Sequence, residues 1–465
     1  MDCVLLRYGE VGVKSQRKRP FFERLYIIAL KDALDRTGFK NYKIENLGGR
    51  FVVFHKDARK MKVLARVPGV QSLSFATMIK FKDLSDLNKK VEKIASDLVK
   101  DKKFKVNVNR TGEHDFSSMD AARETGSVLE KYSTGVSMRE YDILINLEIR
   151  NDSCYLFTDS IEGVGGLPAK SAGKVLCLFS GGIDSPVASY LALKRGFQCD
   201  FLYINLLGEK GVYKTAQVYN YLISMYSFGF TPRFFVVDGL DIVKKIKKEV
   251  DNKLRQIAVK IAFYKIAEKF AKQNKFSAIV TGEALSQKSS QTVQSLSVIQ
   301  SQTDMLIIRP LALMDKEEII KIAREIGTFA YSEKVKEYCN LAEGPVSTMP
   351  DSRVLDKIPS FDEEIKNIKF KPYTGMADVE FEEEPDVKKF KNSVIVDITS
   401  GFIKKKIKSD IKGTYPEIMD DIKNFDKNKS YIVVCDFGVK AENFASALRK
   451  QNIRAVGISI EQHVK

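Results

Sequence analysis

The sequence predicts a multidomain α/β chain: small α+β units first, then a doubly wound parallel sheet, then a short α/β unit. Three observations carry this. The chain has 465 residues, more than a single hydrophobic core organises. Residues 175–280 alternate short apolar runs with helical patterns, as buried parallel strands and their crossover helices do. Residues 1–160 instead mix period-two strands with amphipathic helices.

A strand at 4–7 opens the chain, followed by a basic stretch at 14–19 and a helix over 20–37 that Gly38 closes. Strands at 42–45 and 50–54 follow, then a helix at 58–65 before Val67-Pro68-Gly69-Val70. The next unit begins with a strand at 73–78. In the helix over 83–100, Leu84, Leu87, Val91, Ile94 and Leu98 keep helical spacing. A strand at 105–109, Arg110-Thr111-Gly112, a helix over 118–132 and strands at 143–149 and 153–158 complete it. Gly163, Gly165, Gly166 and Pro168 read as a connection. Beyond it lie strands at 175–179, 199–205, 231–237 and 278–280, with helices at 186–195 and 214–226 and one long helix ending near Gln273. Residues 350–388, rich in charge and proline, read as a linker. The last unit has strands at 394–397, 431–435 and 455–458 and a helix over 442–451. The expected domains are therefore 1–56, 57–160, 161–349 and 389–465.

The net charge is +16, and the first hundred residues hold 22 Lys/Arg against 11 Asp/Glu. A basic face of this kind calls for a polyanion, a nucleic acid ahead of a membrane surface. No run of about eighteen apolar residues exists to span a bilayer. The first residues lack the charged, apolar, small-residue order of a signal peptide, so a cytoplasmic protein is expected. The six cysteines include no CxxC pair, and three histidines are too few to suggest zinc.

The chemistry starts at Ser180-Gly181-Gly182-Ile183-Asp184-Ser185. It follows the apolar strand Val175-Leu176-Cys177-Leu178-Phe179. Glycines let the backbone turn sharply and bring N–H groups to an anion. Ser185 reads as an N-cap with Pro186 at the first helical position, so a helix N-terminus points at the loop. Asp184 would repel a phosphate directly and makes sense holding Mg2+ against it. The Gly-Lys-Ser/Thr of a kinase-type P-loop is absent. Thr281-Gly282-Glu283-Ala284-Leu285 follows the strand at 278–280, where ligands bind in such sheets. Ser289-Ser290-Gln291-Thr292, Arg309-Pro310-Leu311 and Asp315-Lys316-Glu317-Glu318-Ile319 come next, and Lys316 is a candidate to neutralise charge growing on an α-phosphate. Far downstream, Cys435 ends a strand ahead of a loop and a helix, a setting that lowers a thiol pKa. Cys3, Cys154, Cys177 and Cys199 fall within apolar strand patterns and read as core.

The Ser-Gly-Gly-x-Asp-Ser loop resembles the PP-loop of ATP pyrophosphatases. Taken with Arg7-Tyr8-Gly9-Glu10, Arg110-Thr111-Gly112, Gly165-Gly166-Leu167-Pro168 and Glu337-Tyr338-Cys339, in order, residues 1–350 resemble the tRNA 4-thiouridine synthetases, or tRNA sulfurtransferases. The resemblance implies a ferredoxin-like domain, a THUMP domain that grips tRNA and a PP-loop domain. It implies that ATP adenylates O4 of the uridine at position eight and that a persulfide then replaces that oxygen. Nucleotide contacts carried over are Leu178, Phe179, Tyr203, Ile204, Lys260, Gly282 and Gln291, beside Ser180, Gly181, Gly182 and Ser185. Asp184 and Lys316 would serve adenylation.

The end of the chain resembles a rhodanese domain with Cys435 as the persulfide carrier, although Asp397-Ile398-Thr399 lacks the usual arginine. Cys339 matches the family's second cysteine, which leaves a transient Cys339–Cys435 disulfide for a cellular thiol reductant. The implied partners are tRNA, a cysteine desulfurase or other sulfur donor, a sulfur-carrier protein for the thiamine thiazole branch, and a second copy of the chain in a homodimer. Two other readings stay open: a PP-loop tRNA-modifying ligase with a non-sulfur nucleophile, which has no use for Cys435 and Cys339, and a non-catalytic tRNA-binding protein without pyrophosphate release.

Overall fold

The computed structural model describes residues 1–206, 209–335, 347–348, 350–373, 390, 392–399, 407–413, 418, 421–435 and 439–460. Two compact units emerge. One holds residues 1–173 with 193–198 and 225–231; the other holds the remainder.

In the first unit, a nine-stranded sheet is built from β1 (Asp2–Tyr8), β2 (Lys43–Asn46), β3 (Arg50–Phe54), β4 (Val70–Lys80), β5 (Lys103–Thr111), β6 (Gly135–Val136), β7 (Ile143–Arg150), β8 (Ser153–Phe157) and β9 (Ile161–Glu162). Its order is β2-β3-β1-β4-β8-β7-β5-β6, with β9 also on β4. One edge of β4 pairs with β1 over Val70 to Thr77; the other pairs with β9 at Ser72 and Leu73 and with β8 over Thr77 to Lys80.

Helix α1 (Arg19–Arg36) buries Tyr26, Ala29, Leu30, Ala33 and Leu34 against Val4, Leu6, Phe51 and Val53. Tyr26 stacks on Phe51 at 4.9 Å between ring centroids. Helices α2 (Leu84–Val99) and α3 (Ser118–Glu130) cover β5, β7 and β8 through Leu87, Val91, Ala121 and Leu129. Ser117 and Asp120 form a reciprocal capping box at the start of α3. On the sheet, the buried Glu148 faces three arginines: Arg50 Nε at 2.9 Å, Arg150 Nε at 3.0 Å and Arg7 Nη2 at 3.6 Å.

The second unit carries a six-stranded sheet of β10 (Lys174–Leu178), β11 (Gln198–Asn205), β12 (Phe234–Asp238), β13 (Ala278–Val280), β14 (Leu306–Ile308) and β15 (Lys371–Pro372). The order is β14-β13-β10-β11-β12-β15. β10 with β13, β13 with β14, and β11 with β12 pair parallel, and β15 closes one edge antiparallel. The chain moves outward from β10 in one direction through β11 and β12 and in the other through β13 and β14. The carboxyl end of β10 is therefore the topological switch point, where such sheets bind ligands.

Its helices are α4 (Asp184–Lys194), α5 (Glu209–Tyr226), α6 (Leu240–Glu249), α7 (Arg255–Gln273), α8 (Val293–Gln300), α9 (Lys316–Glu325), α10 (Phe329–Ser332) and α11 (Asp362–Asn367). Helix α7 puts Ile257, Ile261, Ile266 and Phe270 into the core. A further four-stranded sheet, β17-β16-β18-β19, uses β16 (Val394–Asp397), β17 (Ile411–Lys412), β18 (Ser430–Cys435) and β19 (Arg454–Ser459), all paired parallel. Helix α12 (Val439–Lys450) buries Ala441, Phe444, Ala445 and Leu448 with it. Among the described residues no helix is long and apolar enough to cross a membrane.

Four local expectations are corrected. Residues 58–65 form two 3-10 turns, Ala58–Lys60 and Lys62–Arg66, because Met61 leaves helical geometry between them. The long helix ending at Gln273 is two helices: Asp251 accepts from Lys253 N and restarts the chain. Helix α4 starts at Asp184, which puts Ser185 inside its first turn instead of at the cap. The first part of the expected linker is folded: Phe361 and Ile365 are buried in the core with α7, and β15 extends the sheet. Residues 374–389 lie outside the described residues.

Candidate active site

The loop after β10 is held from behind and below. Ser185 Oγ accepts from the Ser180 amide at 3.1 Å, closing the turn on itself. Thr215 of α5, fully buried, donates from Oγ1 to the Ser180 carbonyl at 3.1 Å. Gly181 has φ +75°, and a Cβ there would sit 3.0 Å from Thr215 Cα. Only glycine takes this conformation without strain. Gly282, after β13, packs so closely that a Cβ would lie 2.8 Å from the Ser185 amide nitrogen. Glycine is required there by close backbone approach.

Asp184 and Lys316 stand 132 residues apart in sequence, yet Lys316 Nζ donates to Asp184 Oδ1 at 2.5 Å. Lys316 is the first residue of α9, and Asp315 and Glu318 form the capping box that sets its position. The pair lies at the loop with the lysine side chain 45% exposed. The acid and the cation singled out from the sequence are thus brought together.

The other expected residues divide by environment. Leu178 ends β10 half-buried, and Ile204 is buried on β11. The Phe179 ring is edge-on to Phe201 and Phe234, and its amide donates to the Leu202 carbonyl at 2.9 Å. Burial raises the Tyr203 pKa. Gln291 ends a 3-10 turn, Ser289–Gln291; it is buried, and its Oε1 accepts no hydrogen bond among the described residues.

Lys260 of α7 donates from Nζ to Glu283 Oε1 at 2.6 Å. Glu283 Oε2 takes Arg309 Nε at 2.9 Å, Thr281 Oγ1 at 3.1 Å and the Tyr264 hydroxyl. Arg309 also donates to Tyr264 OH at 3.1 Å and to Gln300 Oε1 at 3.0 Å. Burial alone would raise the Glu283 pKa, but Lys260, Tyr264 and Arg309 together hold it below the usual range. Burial lowers the Lys260 pKa, and Glu283 opposes that. No role for Glu283, Tyr264, Arg309 or Thr215 follows from the sequence alone. For Glu283 and Arg309 the signal was a polar residue just after an apolar strand, in Thr281-Gly282-Glu283 and Arg309-Pro310-Leu311; Tyr264 and Thr215 lie within helices and carry no such signal.

The cysteines separate as well. Cys3, Cys154, Cys177 and Cys199 are buried on strands. Cys3 donates to the Ala76 carbonyl at 3.4 Å, and burial pushes its thiol up to about 12. Burial also raises Cys154 and Cys199. Cys435 is buried too, at the carboxyl end of β18, but its Sγ accepts a backbone hydrogen bond, from the Ala441 amide at 3.3 Å in the first turn of α12. Cys339 lies outside the described residues.

Asp397 ends the neighbouring strand β16, accepts from the Thr399 amide at 2.9 Å and has Lys412 Nζ at 3.9 Å. Among the described residues no cluster of three His, Cys, Asp or Glu could hold a metal by itself.

Three family models match the chain: a ThiI ferredoxin-like domain over residues 3–74, a THUMP domain over 81–159 and the thiamine biosynthesis protein ThiI over 170–361. A tRNA sulfurtransferase of Pyrobaculum aerophilum is 33% identical over 98% of this chain and 96% of its own length. One from Thermoplasma volcanium is 30% identical over 98% of this chain and 95% of its own. The crystal structure of a 4-thiouridine synthetase–RNA complex with bound ATP superposes with a TM-score of 0.69 at 28% identity, covering 80% of this chain and 99% of that one.

Proposed function

The chain belongs to the tRNA sulfurtransferase family, and from that membership we propose the route by which it thiolates tRNA. ATP adenylates O4 of the uridine at position eight, which turns a poor leaving group into AMP. The single observation that carries the adenylation step is the Asp184–Lys316 pair at the glycine loop. An incoming nucleotide competes for both members: the lysine transfers to the α-phosphate, where negative charge grows as pyrophosphate leaves. Asp184 would hold Mg2+, which typically binds through one or two carboxylates and the substrate's own phosphates. One carboxylate beside a phosphate loop fits that requirement. When bound, the ion would neutralise phosphate charge.

Gln291 Oε1, which accepts no hydrogen bond among the described residues, supports its assignment as a nucleotide contact. A buried acceptor without a donor costs about 1–3 kcal/mol, and a base amino group is the donor it lacks. Lys260, Leu178, Phe179, Tyr203, Ile204 and Gly282 complete the proposed contacts. The structural neighbour's bound ATP and RNA support this assignment.

Sulfur arrives through Cys435. The terminal sulfur of a Cys435 persulfide attacks C4, and AMP departs with the former O4. Cys339 then attacks Cys435 Sγ, the S–S bond to the transferred sulfur breaks, and 4-thiouridine is released. The remaining Cys339–Cys435 disulfide is opened by a thiol reductant. A cysteine desulfurase or another persulfide donor reloads Cys435, and the same persulfide suits transfer to a carrier protein for thiazole synthesis. A ligase with a non-sulfur nucleophile would have no use for a sulfur held at a helix N-terminus.

The test is to incubate purified chain with ATP, Mg2+, a desulfurase with cysteine, and unmodified tRNA, and to map 4-thiouridine by mass spectrometry. Thiolation at position eight is expected. Cys435→Ser should stop turnover while pyrophosphate release and tRNA binding persist; full thiolation by that variant would overturn the persulfide route.

A further inference from the structure

Glu283 has a role that the adenylation step does not by itself require. It is 7% exposed and receives four donors, from Lys260 and Tyr264 on α7, Thr281 past β13 and Arg309 past β14. The three charged members sum to +1, so the cluster keeps a positive surplus beside a site that takes an anion. Both Glu283 oxygens are engaged, whereas the Lys260 ammonium has three N–H groups and directs one at Glu283. Gly282, the residue before it, touches the phosphate loop. The carboxylate therefore ties a helix and two strand ends to the loop.

We propose that Glu283 is a positioning residue for ATP: it holds the Lys260 ammonium at the carboxyl end of β13, beside the loop, and does not touch the nucleotide itself. This rests on the reading of Lys260 as a nucleotide contact. Burial disfavours the Lys260 charge, and Glu283 is its counter-charge. Without the carboxylate, the ammonium turns toward water or gives up its proton, and the nucleotide loses a cation. Arg309 is held elsewhere: Nε is on Glu283, one terminal nitrogen on Gln300 and the other on Tyr264.

The experiment is a double-mutant cycle read by tRNA-dependent pyrophosphate release with ATP varied. Glu283→Gln and Lys260→Met are each expected to raise KM for ATP about tenfold or more, with kcat within about threefold of wild type. The double variant should be no worse than the poorer single, since both remove one interaction. Effects that multiply, or a fall in kcat at unchanged KM, would overturn the proposal. Should the Gln variant not fold, Glu283→Asp, which keeps the charge on a shorter stem, replaces it in the same cycle and is judged by the same non-additivity. A wild-type chain that releases no pyrophosphate overturns the adenylation reading and this proposal with it. An active wild type with an indifferent Glu283→Gln overturns this proposal alone.

Discussion

Replacing Gly282 with alanine tests how finely the phosphate loop is placed. The added Cβ would lie 2.8 Å from the Ser185 nitrogen and 2.9 Å from the Asp184 carbonyl carbon. Ordinary contact begins at 3.4 Å, so the two backbones must separate by the difference, 3.4 minus 2.8, or 0.6 Å. Neither atom belongs to a flexible side chain, so the strain falls on the start of α4 or on the turn after β13. Overpacking of this kind costs about 1–3 kcal/mol, a loss of several degrees in Tm for a domain of this size. The catalytic cost is expected to be disproportionate. A misplacement of about 1 Å costs on the order of a hundredfold in rate, so 0.6 Å should cost about tenfold.

The assay is single-turnover pyrophosphate release with saturating tRNA, beside thermal unfolding of the same preparation. Gly126→Ala is the control: it lies in α3, an added Cβ meets nothing within 4 Å, and the helix should gain about 0.5–1 kcal/mol. A Gly282→Ala protein with wild-type release would show that the loop tolerates the displacement.

Three further outcomes follow from the geometry. Asp315→Ala removes the cap that fixes the first turn of α9, which should cost about 1 kcal/mol of stability and slow pyrophosphate release several-fold by loosening Lys316; release at the wild-type rate would separate the cap from catalysis. Glu148→Ala leaves Arg7, Arg50 and Arg150 facing one another without an anion and should destabilise the first unit by about 3 kcal/mol, measured by urea unfolding; a change below about 0.5 kcal/mol would mean the arginines find water freely. The Glu283 carboxyl has its folded pKa depressed, so its stability contribution is present above the unfolded value near 4.3 and is lost as pH falls through the folded value. The stability gap between wild type and Glu283→Gln should therefore narrow on acidification below about pH 4, and a gap independent of pH would contradict the assigned charge state.

The phosphate loop was legible because its determinants are local: an apolar strand, two glycines and a helix start within a dozen residues. Boundaries were less so. Ser185 looked like a cap, but its hydroxyl is turned back to the Ser180 amide, a choice the sequence does not record. Asp184 and Lys316 were each legible by role, but not their contact, since nothing in either segment encodes a partner 132 residues away. Glu283 was part of a noticed motif, yet its partners at Lys260 and Arg309 lie 23 and 26 positions off, and burial that makes the contacts matter is a tertiary property. In residues 350–373, charge and proline mask two apolar anchors: Phe361, the N-cap of α11, and Ile365 within it, both buried in the core with α7. The period-two and helical patterns of the first unit gave the strands and helices, but not that they share one sheet.

That shared sheet bears on how such chains are inherited. The matched ferredoxin-like segment stops at residue 74 and the THUMP segment starts at 81, so their border falls within β4, Val70–Lys80. A recombination event at that border would cut an eleven-residue strand and bare the hydrogen-bonding edges of β1 and β8 together. Exposed edges of this kind invite aggregation. The two modules, though recognised separately by sequence, are welded at a position where neither can be exchanged alone. Lineages that carry one should be expected to carry the pair, passed on as a single cassette.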